Sequence, residues 1–173
     1  MVRAALQSNH RTGQGPRAGA PYTPAASVVA ASFLAALPIV SVSGWYPDFG
    51  FLVLIAWRLL RSDPWPAWWA APLGLANDLF TGAPIGFSVM LWTGTMLLLD
   101  LVDRRTIWRD YWIEWALAAL LLLLNEIAER WIAGMMAAAV PLVTIVPPLL
   151  ISIFTFPIVA WIVGRLDHWR LGR

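Results

Sequence analysis

The chain has 173 residues, of which 60% are hydrophobic and 13% charged. A soluble domain of this length carries about twice that charged fraction, so the composition excludes an ordinary soluble domain. It indicates an all-α polytopic membrane protein, a compact bundle with room for little else. Cysteine is absent, which excludes disulfides, thiolate metal sites and cysteine nucleophiles.

The two histidines, His10 and His168, lie in polar tails. The apolar segments therefore hold no histidine for a Ser-His dyad or a zinc site. The sequence pI is about 9.7. All twelve basic residues are arginines spread among short loops, a distribution that suits membrane orientation and not a nucleic-acid surface.

Residues 1–25 read as a disordered tail. Gly13, Gly15, Pro16, Gly19, Pro21 and Pro24 alternate with Arg3, Arg11 and Arg17, and such a stretch cannot bury a core. A transit peptide or a cleaved signal peptide is the weaker reading of this basic segment. The transmembrane domain is expected over 26–165, with a polar C-terminal tail at 166–173.

The first span is predicted from Ala26 to Gly44, and "GWYPDFG" (Gly44–Gly50) then turns the chain. The second, Phe49 to Leu60, is short. At 1.5 Å per residue it covers only ~18 Å of a hydrocarbon core ~30 Å thick. Arg61, Asp63, Pro64 and Pro66 mark the next loop. The third span runs from Trp65 to Phe80, interrupted by Pro72 and Gly74. The fourth runs from Ile85 to Val102, followed by a charged loop through Arg109 and Asp110. The fifth starts near Tyr111 and continues past Asn125, Glu126, Glu129 and Arg130. Residues 132–146 either prolong it or form an outer connection. The sixth is Pro147 to Val163.

Six spans place both termini on one side with the 58–63 and 103–110 loops. Arg3, Arg11, Arg17, Arg58, Arg61, Arg104, Arg105, Arg109, Arg165, Arg170 and Arg173 then share that side, and only Arg130 lies elsewhere. The positive-inside rule makes that side cytoplasmic. Trp45, Trp65, Trp108, Trp112 and Trp169 fall near span ends, where an interfacial belt belongs. Trp92 is mid-span and reads as packing.

Two polar constellations interrupt the apolar background. In "GLANDLFTGAPIG" (Gly74–Gly86), Asn77 and Asp78 precede a Thr81-Gly82 break and Pro84. A carboxylate in an apolar span must be paired, protonated or near water. A proton or ion relay is one reading. Helix-end capping that builds a tight reversal between spans three and four is the preferred one. The second constellation is Asn125, Glu126, Glu129 and Arg130. The four-residue spacings Glu126–Arg130 and Asn125–Glu129 share a helix face, so Glu126, Glu129 and Arg130 are a candidate internal ion pair. Acid–base catalysis by the two carboxylates is the weaker reading, because no nucleophile or metal motif accompanies them. Walker, His-Glu-x-x-His and Gly-x-Ser-x-Gly patterns are absent, and no cofactor is expected.

From "YPDFGFLVLIAWRLLR" (Tyr46–Arg61) through "PLGLANDLFTGAPIGFSVMLW" (Pro72–Trp92) the chain resembles the bacterial rod-shape-determining MreD family. The matching pattern is Pro47, Gly74, Leu75, Asp78, Gly82 and Gly86. Roughly a third of the chain carries it; length, span number and short loops also agree. The basic tail and the Glu126–Arg130 cluster have no counterpart in the pattern.

The resemblance implies a non-enzymatic inner-membrane component of the cell-elongation machinery. It would be a partner of MreC and, indirectly, of MreB, RodA and a class B penicillin-binding transpeptidase. Pro47, Gly74, Asn77, Asp78, Thr81, Gly82 and Gly86 would form its structural and docking motif. The family is also similar in architecture to S components of vitamin transporters, which makes a small-molecule-binding transporter subunit the alternative.

Overall fold

The computed structural model describes residues 19–37, 47–60, 66–105, 111–136 and 141–171. Among them the chain forms six α-helices and no strand. These are α1 (Thr23–Leu34), α2 (Phe49–Leu60), α3 (Ala70–Thr81), α4 (Phe87–Arg105), α5 (Tyr111–Met136) and α6 (Val146–Arg170). Short 3-10 segments, Ala67–Trp69 and Leu142–Ile145, lead into α3 and α6. Residues 38–44 of the expected first span, the 61–65 and 106–110 loops, and Trp45, Trp65 and Trp108 lie outside the described residues.

The short helix α2 is the centre of the bundle. Phe51, Leu52, Leu54, Ile55, Ala56 and Trp57 are all buried on it, because a helix apolar on every face is stable only when surrounded. Helices α1 and α6 flank it closely, and α3 packs on α1 and α4. Phe51 stacks on the fully buried Trp92 of α4 at 6.1 Å. Met96, Leu99, Leu121, Phe156 and Val163 complete the core.

Helix α3 runs unbroken through Pro72 and Gly74, where the sequence predicts an interruption. Pro72 falls in the first turn, where a missing N–H removes no intrahelical bond. Helix α5 continues to Met136, so the apolar stretch after Ile132 both extends that helix and, from Pro141 on, leads into α6. The sequence places a tail at 166–173, but α6 continues to Arg170. Its last turn is held by packing: Arg170 Nε donates to Asp167 at 2.7 Å, Nη1 donates to the Ala20 carbonyl at 3.3 Å, and the guanidinium lies over the Trp57 ring.

Two segments, Tyr111–Ile132 and Val143–Arg170, are long and apolar enough to cross a membrane. On α6, Leu150, Phe154, Ile158, Trp161 and Ile162 form an exposed apolar stripe at helical spacing; proteins that face water on all sides rarely expose such a stripe. Trp112 and Trp169 are exposed near helix ends.

Candidate functional site: a polar junction at one end of the bundle

Antiparallel packing brings the start of α2, the end of α3, the start of α4 and the second half of α5 together. Helix α3 stops at Gly82, which adopts φ 69° in the left-handed region. That conformation terminates a helix at little cost only for glycine. A second left-handed glycine, Gly86 at φ 98°, closes the reversal just before α4.

Asp78 holds this hairpin shut. One carboxylate oxygen accepts the Gly86 N–H at 2.7 Å and the other the Ser88 N–H at 2.9 Å. These are donors that the first turn of α4 cannot satisfy internally, and a negative charge there also meets the positive end of the helix dipole. Asp78 is 1% exposed. Its partners lie across the turn, just before and within the first turn of α4, and not at the end of its own helix. The end of α3 is instead tightened by Thr81, whose hydroxyl donates to the Asn77 carbonyl at 2.8 Å.

Asn77, the residue before it, binds in a different direction. Its Nδ2 donates to Ser88 Oγ at 3.2 Å and to Asp48 Oδ2 at 3.3 Å. Asp48 in turn caps α2, accepting the Phe51 N–H on Oδ1 at 3.0 Å, directly after the buried Pro47. The adjacent pair Asn77-Asp78 therefore ties α3 to two helix N-termini at once.

Gly74, one turn earlier, is where the α3 and α4 backbones meet. A Cβ there would lie 2.7 Å from the Ser88 carbonyl carbon and oxygen and from the Val89 nitrogen. Backbone atoms cannot swing aside as a side chain can. Gly74→Ala is expected to cost about 1–3 kcal/mol through forced separation of the helices, measured as a lower thermal midpoint in detergent. Gly94, on α4 with nothing within 4 Å of a new Cβ, is the matched control. Gly94→Ala is expected to be neutral or to stabilise by up to ~1 kcal/mol, through helix propensity. Equal effects at the two sites would refute the close-contact explanation.

The second constellation joins the first across the bundle. Asn125 and Glu126 on α5 are buried, and Asn125 Nδ2 donates to Glu129 at 2.6 Å. Both glutamates lie within electrostatic reach of Asp48. The expected pairing with Arg130 is a longer-range attraction to both glutamates and not a close contact. Arg130 donates to the Thr144 carbonyl, which approaches from the segment entering α6, and it makes no ion pair with either glutamate among the described residues. Leu75, on the outer side of α3, is exposed. Among the described residues, no group of three or more histidine, cysteine or acidic side chains is arranged to hold a metal ion.

Sequence reading treats Asp48 as a turn residue; its role as the link between the two constellations comes from a tertiary neighbour 29 positions away, Asn77. Its signal was the Pro-Asp pair directly before an apolar run, an N-cap signature. Comparison with protein-family models, curated proteins and solved structures finds no match to this chain.

Proposed function

We propose that the chain is a non-enzymatic inner-membrane component of bacterial cell elongation, of the MreD type, scaffolding an MreC-like partner and peptidoglycan synthesis proteins. In this reading all six helices cross the bilayer and both termini are cytoplasmic. Arg58 and Arg170 then lie at the cytoplasmic end, with Asp48, Asp78, Glu126 and Arg130 towards the opposite face, in keeping with the positive-inside rule.

One observation carries the reading. Gly74, Asp78, Gly82 and Gly86, which bear the family resemblance, are all spent on one rigid helical hairpin. A carboxylate committed to two backbone donors is a structural group, and a rigid hairpin with Leu79 and Ile85 exposed beside its turn offers a fixed apolar surface for a partner.

A tagged full-length chain, purified from native membranes in mild detergent, is expected to retain MreC and wall-synthesis proteins identified by mass spectrometry. Recovery of an ATP-binding cassette pair without wall proteins would replace this reading by the second one, an S-component-like subunit of a small-molecule transporter. That second reading is favoured by the buried, unmatched polar atoms at the polar junction, since solute sites bring together a few such groups.

A further inference from the structure

Helix α6 runs from Val146 to Arg170 with Pro157 in its interior. Proline has no N–H, so the carbonyl four residues earlier, that of Ile153, loses its intrahelical donor, and the ring pushes that carbonyl outward. In apolar surroundings an orphaned carbonyl costs free energy until another donor reaches it. Here the donor comes from the neighbouring helix. Trp115 of α5 donates its indole N–H to the Ile153 carbonyl at 3.2 Å. The Trp115 ring is half-buried, packed against the core and against the Trp112 ring at 6.1 Å. A second weak point adjoins the freed carbonyl. Ser152 Oγ donates to the Pro148 carbonyl at 2.7 Å, a back-bond of the kind that bends helices.

The two halves of α6 have different anchors. After the proline, Val159 and Val163 belong to the core around α2, and Arg170 holds the Ala20 carbonyl and the Trp57 ring. Before it, the 3-10 segment leading into α6 offers the Thr144 carbonyl to Arg130 of α5. Pro157 and the carbonyl it frees lie between these sets of anchors. Sharp bends in long helices concentrate at such points, and one neutral hydrogen bond is a weak tie across them.

We infer that Ile153–Pro157 is a hinge within α6 and that the Trp115 indole is its latch. With the latch closed, α6 keeps one angle between its halves. With it open, the half before Ile153 pivots while the half after Pro157 stays on α2. Trp115 is thus a positioning residue that acts through a backbone carbonyl. The inference concerns the isolated chain and does not rest on the scaffold reading.

The test uses the full-length chain in detergent. It has no cysteine, so spin labels can be attached through paired cysteine substitutions and their separations read by double electron–electron resonance. Exposed Val146 and Met90 report on the half before the hinge, and exposed His168 and Leu101 on the half after it. At 1.5 Å per residue Val146 is ~16 Å from Pro157, so a pivot of ~20° moves it by ~6 Å. Trp115→Phe keeps an aromatic ring and removes the N–H. It is expected to shift or broaden the Val146–Met90 distribution on that scale and to leave the His168–Leu101 distribution unchanged. Pro157→Ala returns an N–H to the helix, so in that background Trp115→Phe is expected to move neither distance. In denaturant unfolding, Trp115→Phe is expected to lower the folded-to-unfolded ratio about fivefold more with Pro157 in place than in the Pro157→Ala background, the value of one hydrogen bond. Equal losses in the two backgrounds would mean that Trp115 acts by packing alone, and would overturn the inference. An unchanged Val146–Met90 distribution in Trp115→Phe would overturn the hinge. If Trp115→Phe alone yields no folded chain, recovery by adding Pro157→Ala supports the latch, and failure to recover overturns it. These outcomes are independent of whether MreC is captured in the partner experiment.

Discussion

Asp78→Ala is expected to destabilise the protein by about 3–5 kcal/mol, and with Arg58→Ala it is one of the two most damaging single changes considered. Losing a capping carboxylate alone costs about 1–2 kcal/mol. Here the Gly86 and Ser88 N–H groups would also be left unmatched within a closed turn, at about 1–3 kcal/mol each. Asp78→Asn keeps one acceptor and is expected to fall between alanine and the parent. Thermal unfolding of the detergent-solubilised chain, followed by far-UV circular dichroism, reads the effect. A shift equivalent to less than about 1 kcal/mol for Asp78→Ala would show that the α4 N-terminus finds other acceptors. The same variant bears on the proposed function: if both its membrane level and its partner capture were unchanged, the hairpin would not be the docking element. Combined with Gly74→Ala the losses are expected to be non-additive, since both act on the α3–α4 contact.

The hairpin also shows what one sequence discloses. Asp78 announces itself as a carboxylate in need of partners, because an apolar span cannot solvate it. Gly82 and Gly86 announce a reversal. Neither discloses that Asn77 reaches back to Asp48, because that contact needs α2 and α3 to be packed side by side.

Local rules fail where tertiary contacts compete. The i, i+4 spacing of Glu126 and Arg130 suits an ion pair. Yet the Thr144 carbonyl, 14 positions from Arg130, is the partner the guanidinium takes. Pro72 reads as a breaker, but a proline breaks a helix only where an intrahelical bond is lost. Hydropathy located the helical segments well, since apolar runs make up both the buried core and the exposed apolar stripe of α6. It also revealed that α2 is short. The contacts that make this 12-residue helix the hub of the core come chiefly from α1 and α6, and its own sequence does not disclose which helices those are.

The same limit hides the second large effect. Asp100, Asp103 and their neighbouring arginines read as a solvated loop end, and Arg58 as an arginine able to reach the interface. In the structure Arg58 is 3% exposed and its Nη2 is shared between Asp100 and Asp103, the latter at 2.9 Å. Two carboxylates on one turn of α4 thus hold the end of α2, 42 positions earlier in the chain. Arg58→Ala would leave both without their buried partner, a change that costs about 3–5 kcal/mol in closed sites. Asp100 is 34% exposed, so water takes up part of its charge and the expected loss is near the lower bound, about 3 kcal/mol.

Arg58→Lys is expected to recover much of this, because one nitrogen, Nη2, already meets both carboxylates and an ammonium gathers three donors at one point. Arg58 Nε and Nη1 have no hydrogen-bond partner, so the cluster is imperfectly satisfied even when intact. Its complete removal is therefore the informative comparison. The triple variant Arg58→Met, Asp100→Asn, Asp103→Asn removes the buried cation together with both carboxylates that face it and is expected to be more stable than Arg58→Ala, by about 2 kcal/mol. Unfolding midpoints at low and high salt would distinguish this from a surface effect. A buried pair keeps its contribution when the screening length shrinks, whereas an exposed one loses it. If the triple variant were no more stable than the single one, the loss would come from the packing of the Arg58 stem against the core, and the electrostatic account would fail.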